Sequence, residues 1–151
     1  MDRKEMAMNN FLKGYNCSQS VLLAFSDLPG MPDEETLARL GSSFGGGMGR
    51  LREVCGTVTA MFMVAGFLYG YEGPETGKIK ADHYARIQEL AAEFEKRNGS
   101  IICRELLGLN VKHDKPVPAA RTEEYYKKRP CKELAGMAAE ILENYRREQE
   151  K

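Results

Sequence analysis

The residues best suited to chemistry in this sequence are its four cysteines, Cys17, Cys55, Cys103 and Cys131. Gaps of 38, 48 and 28 residues separate them. There is no Cys-x-x-Cys pair, so the spacing points neither to a thioredoxin-type motif nor to a zinc knuckle. Their positions say more. Asn16 is a good N-cap with Gln19 three residues on, a capping-box pattern that makes Cys17 the opening of a helix. Cys131 follows Pro130, a first-turn residue. Cys103 comes three residues after a capping Ser100, and Cys55 lies near the start of an apolar helix, behind a glycine-rich turn. In the first turn of a helix, unpaired N–H groups and the positive end of the dipole favour a thiolate. The thiolate is both the nucleophile and the metal ligand. A single cysteine more often packs as a small apolar side chain, but four at helix starts favour a shared task.

The elements that must position them read as helices throughout, because no stretch alternates with period two between turn signals. A short polar helix spans residues 3–13. A second runs from Cys17 to Leu28-Pro29-Gly30. A third opens at Pro32 with acidic Asp33, Glu34 and Glu35 and ends near Ser43. The glycine turn of residues 41–49 leads to a helix from about Glu53 to Tyr71. The longest helix covers residues 75–97, with Ile79, His83, Ile87, Leu90 and Phe94 on one face. A short helix follows Ser100 through Leu107. Residues 108–120, with Pro116 and Pro118, read as loop, and the segment TEEYYKKR as a polar lead to Pro130. The last helix runs to about Arg147 and carries Cys131, Leu134, Ala135, Ala138, Ile141 and Leu142 on one stripe. The expected fold is an all-α, single-domain bundle of about six helices around the helix of residues 54–71.

Composition narrows the function. With 151 residues the length prior is one domain. Lys+Arg and Asp+Glu are both 22, and this zero net charge argues against a nucleic-acid binder or a polybasic membrane binder. The first ten residues alternate charge and lack the apolar core of a secretory signal. Four cysteines are too few for a disulfide scaffold, so a cytoplasmic location with reduced thiols is expected. Residues 54–71 carry no charge over eighteen positions, long enough to weigh a membrane span. Gly56, Ala60, Ala65, Gly66 and Gly70 instead suit a helix buried at the centre of a bundle, and no span is expected.

Other candidates carry less. Gly45-Gly46-Gly47-Met48-Gly49 lacks the Gly-Lys-Ser/Thr of a P-loop and the preceding strand of a dinucleotide fingerprint. Its amides, with Arg50 and Arg52, could form an anion nest; the plainer reading is a tight turn that places Cys55. His83 on an apolar stripe reads as a hydrogen-bonded core residue before a ligand, and His113 as solvated.

Gly14-Tyr15-Asn16-Cys17-Ser18-Gln19-Ser20-Val21, the Phe44–Met48 turn and Cys55-Gly56 with its small-residue helix resemble the C-GCAxxG-C-C family. That family is named for redox activity and has four characteristic cysteines with a Cys-Gly-Ala-x-x-Gly motif. The resemblance runs from about residue 10 to 145, and the order of all four cysteines matches. Two motif positions depart: Thr57 stands where Ala is usual, and Ala60 where the second Gly is usual. A similar domain occurs in the split-Soret cytochromes, but this chain has no Cys-x-x-Cys-His haem site, so haem is not carried over. The resemblance implies redox chemistry at the four cysteines with an unidentified redox partner. Family members are often encoded near transporters, which implies a transporter as partner.

Three functions follow. In the first, Cys17, Cys55, Cys103 and Cys131 perform thiol–disulfide or electron-transfer chemistry. In the second, the same four hold zinc or an iron–sulfur cluster. In the third, they only pack in a structural or partner-binding bundle. Either chemical function requires cysteines distant in sequence to meet in space, and at least three are expected to cluster in one site, Cys17 and Cys55 among them. Cys55, beside the turn and Arg50 and Arg52, is expected to be alkylated before Cys131. Oligomeric state is left open, a homo-oligomer included.

Overall fold

The computed structural model describes residues 1–74 and 77–151. These residues form an all-α fold. The helices are α1 (Arg3–Leu12), α2 (Cys17–Leu23), α3 (Glu34–Gly41), α4 (Gly56–Tyr69), α5 (Lys78–Asn98), α6 (Cys103–Leu106), α7 (Glu123–Lys128) and α8 (Cys131–Gln149). A left-handed turn, Gly45–Met48, sits between α3 and α4.

Capping fixes where several helices begin. The Asp2 side chain accepts from the Glu5 N–H, and the Asp33 side chain accepts from the Thr36 N–H. At α2 the capping box forms as read, with the Gln19 N–H donating to Asn16 Oδ1 at 2.8 Å and the Asn16 N–H to Gln19 Oε1 at 3.0 Å. Thr122 caps α7, with Glu123 and Glu124 in its first turn and Lys127 and Lys128 in its last. The polar segment of the sequence is therefore a helix, held by its cap and by charges that suit its dipole.

The expected apolar helix, α4, lies at the centre and shares it with α2. The short α2 packs against α1, α3, α4 and α8, and α4 against α2, α5 and α8. Only the first part of α4 is enclosed: Gly56–Met61, Val64 and Ala65 are buried, while Phe67 is 44% exposed. Helix α2 stops at Leu23, earlier than read, because Ala24, Phe25 and Ser26 donate three residues back in tighter turns. Phe11, Phe25 and Phe94 are fully buried in this core, each contributing about 2–3 kcal/mol of transfer free energy. The long helix α5 buries only Leu90 and Phe94. Ile79, expected on its apolar face, stays 56% exposed. The helix start read at residue 75 lies outside the described residues.

Charge ties the outer layer together. Arg3 of α1 reaches Glu143 of α8 at 2.8 Å and the Ala24 carbonyl at 2.8 Å, and also pairs with Asp27. Arg146 holds the other Glu143 oxygen at 2.6 Å. No described helix is long and apolar enough to cross a membrane.

Candidate functional site

Three cysteines open helices: Cys17 starts α2, Cys103 starts α6 and Cys131 starts α8. Cys55 is the N-cap residue of α4. Backbone bonds bring two of these segments together. Val54 and Ile102 form an isolated antiparallel bridge. The Cys55 N–H donates to the Ile101 carbonyl at 2.8 Å, and the Cys103 N–H to the Glu53 carbonyl at 2.6 Å. A third segment arrives through Gly56: a Cβ there would lie 2.6 Å from Cys17 Sγ and 2.6 Å from the Phe44 carbonyl. Glycine at this position is what lets α2 and α4 meet at their first turns.

The glycine turn has an unusual conformation. Gly46, Gly47, Met48, Gly49 and Arg50 have φ of 67°, 68°, 71°, 60° and 68°, five consecutive residues in the left-handed region. Such a conformation costs about 1–2 kcal/mol for each residue with a Cβ. Long-reach bonds hold it, with the Arg52 N–H on the Gly46 carbonyl at 3.2 Å and the Glu53 N–H on the Gly47 carbonyl at 3.0 Å. A Cβ on Gly47 would meet Cys103 Cβ at 2.6 Å. The turn thus lays its backbone directly on the cysteine cluster.

Cys17, Cys55, Cys103 and Cys131 all line one cavity of about 280 Å³. Cys17, Cys55 and Cys103 are buried, and Cys131 is half-buried. The Cys55 sulfur lies 3.1 Å from Thr57 Oγ1, so Thr57 places a hydroxyl beside it. Arg52 Nη1 donates to Cys103 Sγ at 3.5 Å. The Tyr125 hydroxyl faces Cys131. A loop closes the cavity, where Arg50 reaches the Lys115 carbonyl at 2.6 Å and Asp114 at 3.1 Å, and Arg52 reaches Asp114 at 3.1 Å.

Burial dominates the thiol electrostatics. It raises Cys17 above the ordinary thiol range, opposed by the Gly46, Ser18 and Gly56 amides and reinforced by Cys103. It raises Cys55 well above that range, with Cys17 adding to it and the Thr57 hydroxyl opposing. Cys131 is pushed up to about 12 by burial and then by Cys17 and Cys103. Tyr125 is also pushed up to about 12, by burial and then by Cys131. Neighbouring sulfurs disfavour one another's ionisation, so negative charge here is carried by few of them at a time. Among the described residues, no three His, Cys, Asp or Glu side chains gather closely enough to hold one metal ion.

The expected advantage of Cys55 over Cys131 does not match this geometry. Cys55 is the more deeply buried thiol, Arg52 turns to Cys103, and Arg50 turns to the 114–115 loop. His83 stands apart from the cavity, with Nδ1 3.0 Å from Arg86 and its ring edge-on to Tyr71. His113 is exposed. Sequence reasoning missed Tyr125, Arg121, Arg129 and Asp114. The Thr122-Glu123-Glu124 cap could have indicated that Tyr125 sits on a helix, but nothing local announces that this helix closes over the cysteines.

A family model described as "Putative redox-active protein (C_GCAxxG_C_C)" matches residues 15–145. The chain belongs to this family. All four cysteines on the cavity wall fall within the matched span. No curated protein and no solved structure matches the chain.

Proposed function

We propose that this member of the family is a thiol-based redox protein whose cavity cysteines cycle between dithiol and disulfide. The observation that carries this reading is the convergence of four cysteines from four separate segments on one cavity. We assign the attack to Cys103, whose sulfur has the Arg52 guanidinium to meet negative charge. We assign the second step to Cys17, whose sulfur is an electrostatic neighbour of the other three. The Cys103 thiolate attacks one sulfur of an external disulfide, and the other sulfur leaves as a thiol after taking a proton. Cys17 then attacks the mixed disulfide and releases the second thiol. Two electrons and two protons pass to the external disulfide, and a Cys17–Cys103 disulfide remains.

The test is a redox titration of folded protein with thiol counting and disulfide mapping. Loss of two thiols per chain, including Cys17, and their recovery with reductant is expected. Four thiols unchanged at every poise would overturn the reading. A cytoplasmic location and a redox partner belong to the same proposal. A second reading takes the four cysteines on the cavity wall as ligands of an iron–sulfur cluster. Iron and acid-labile sulfide in protein purified without air would favour it; their absence from that preparation would remove it.

A further inference from the structure

Charge on the cavity wall is one-sided. Four arginines line it, Arg50, Arg52, Arg121 and Arg129, and no Asp, Glu or Lys does among the described residues. Arg50 and Arg52 share a single carboxylate, Asp114. Arg121 is anchored by neutral groups, the Phe11 and Tyr15 carbonyls, with its guanidinium carbon 3.9 Å from the centre of the Phe11 ring. Arg129 has no ion pair among the described residues. One carboxylate and one thiolate would still leave two guanidiniums unmatched. The whole chain is neutral, with 22 basic and 22 acidic residues, so this excess is a property of the cavity.

Guanidinium forks recognise carboxylates and oxyanions with paired hydrogen bonds. Much of the remaining wall is apolar, including Phe11, Leu106 and Leu134, with Asn16, Ser42 and Tyr125 as its polar side chains. A volume of about 280 Å³ limits the occupant to a small molecule. We propose that the cavity takes a low-mass anionic disulfide, its carboxylate or sulfonate on the arginines and its S–S bond against the cysteines. This rests on the thiol-exchange reading above and adds the substrate class. The exchange balances as written there: the anionic disulfide is reduced to two thiols, and the protein dithiol is oxidised to a disulfide.

Three disulfides of equal chain length isolate charge: bis(2-sulfoethyl) disulfide, bis(2-hydroxyethyl) disulfide and bis(2-aminoethyl) disulfide. Each rate of oxidation of the reduced protein is divided by the rate of the same compound with 2-mercaptoethanol. The normalised rate for the anionic compound should exceed that for the cationic one at least tenfold, with the neutral one between. Added salt should shrink the ratio. Arg129→Gln should lower the ratio of the anionic rate to the neutral one, and Arg129→Glu, which cancels the excess of two positive charges, should bring that ratio close to one. Equal normalised rates, or a cationic preference, would overturn the proposal while leaving thiol exchange standing.

If none of the three reacts, the exchange reading itself fails, and the anion site is judged by binding alone. The unreactive probe 1,2-ethanedisulfonate should then raise the Tm of the wild-type protein and not that of Arg129→Gln. No rise in the wild type would overturn the anion site.

Discussion

At Cys55 the surroundings decide reactivity more than the residue type does. Its thiol is buried, and burial raises it well above the ordinary range, whereas Cys131 retains partial exposure. Peptide mapping of reduced, folded protein at increasing reagent exposure should show Cys131 alkylated before Cys55; the opposite order would contradict the geometry. Cys131, pushed up to about 12, should also gain rate about tenfold per pH unit from pH 7 to 10. A free thiol would level off near its own pKa of about 8.5. The Thr57 hydroxyl is the local group that favours a Cys55 thiolate. Thr57→Ala removes that hydroxyl. It should slow Cys55 alkylation further and lower stability by about 1 kcal/mol, the worth of one buried hydrogen bond. Urea unfolding read beside the alkylation rate separates the two effects.

Among the elements, the left-handed turn is the most exacting. Gly47→Ala adds a Cβ at 2.6 Å from Cys103 Cβ on a backbone with φ of 68°. A loss of about 3 kcal/mol is expected from strain and overlap together. Met48 adopts φ of 71° and already carries the strain. Met48→Gly should therefore gain about 0.5 kcal/mol, the relieved strain less the greater chain entropy of glycine. Urea midpoints at constant m-value check both, and a large loss in Met48→Gly would show that its side-chain packing outweighs the strain. The helices themselves were legible because their signals are local: Asn16 with Gln19, Asp33, Pro130, and the apolar stripe of α8. The helix starts at Cys17 and Cys131 followed from the same signals, whereas the short helix begins at Cys103, after Ile102, two residues later than a Ser100 cap implied. The handedness of residues 46–50 was not legible, because glycine permits it without demanding it. Nor were Arg121 and Arg129, whose meeting with the cysteines depends on a loop brought back across the chain through Asp114 and the Tyr15 carbonyl.

Across the whole molecule, the buried thiols link stability to alkaline pH. Cys17, Cys55 and Cys131 are raised in the folded state. Well below the free-thiol pKa of about 8.5 they are protonated in both folded and unfolded chains, and the difference favouring the fold is fully present. From pH 9 upward the unfolded chain loses these protons first, so stability falls as pH rises towards 12. The urea midpoint of the reduced protein should decline from pH 9 to 10.5, and Cys131→Ala should decline less steeply. A flat profile would mean that the thiols are more solvated than this packing allows. The wide spacing of the cysteines also connects redox state to the turnover of the chain. Cys17 and Cys103 stand 86 positions apart. A bond between them would remove about 4–5 kcal/mol of freedom from the unfolded ensemble. Proteases that act on opened chains would then meet the oxidised form far less often than the reduced one. Half-life in a protease mixture would report which form is present, with no substrate added.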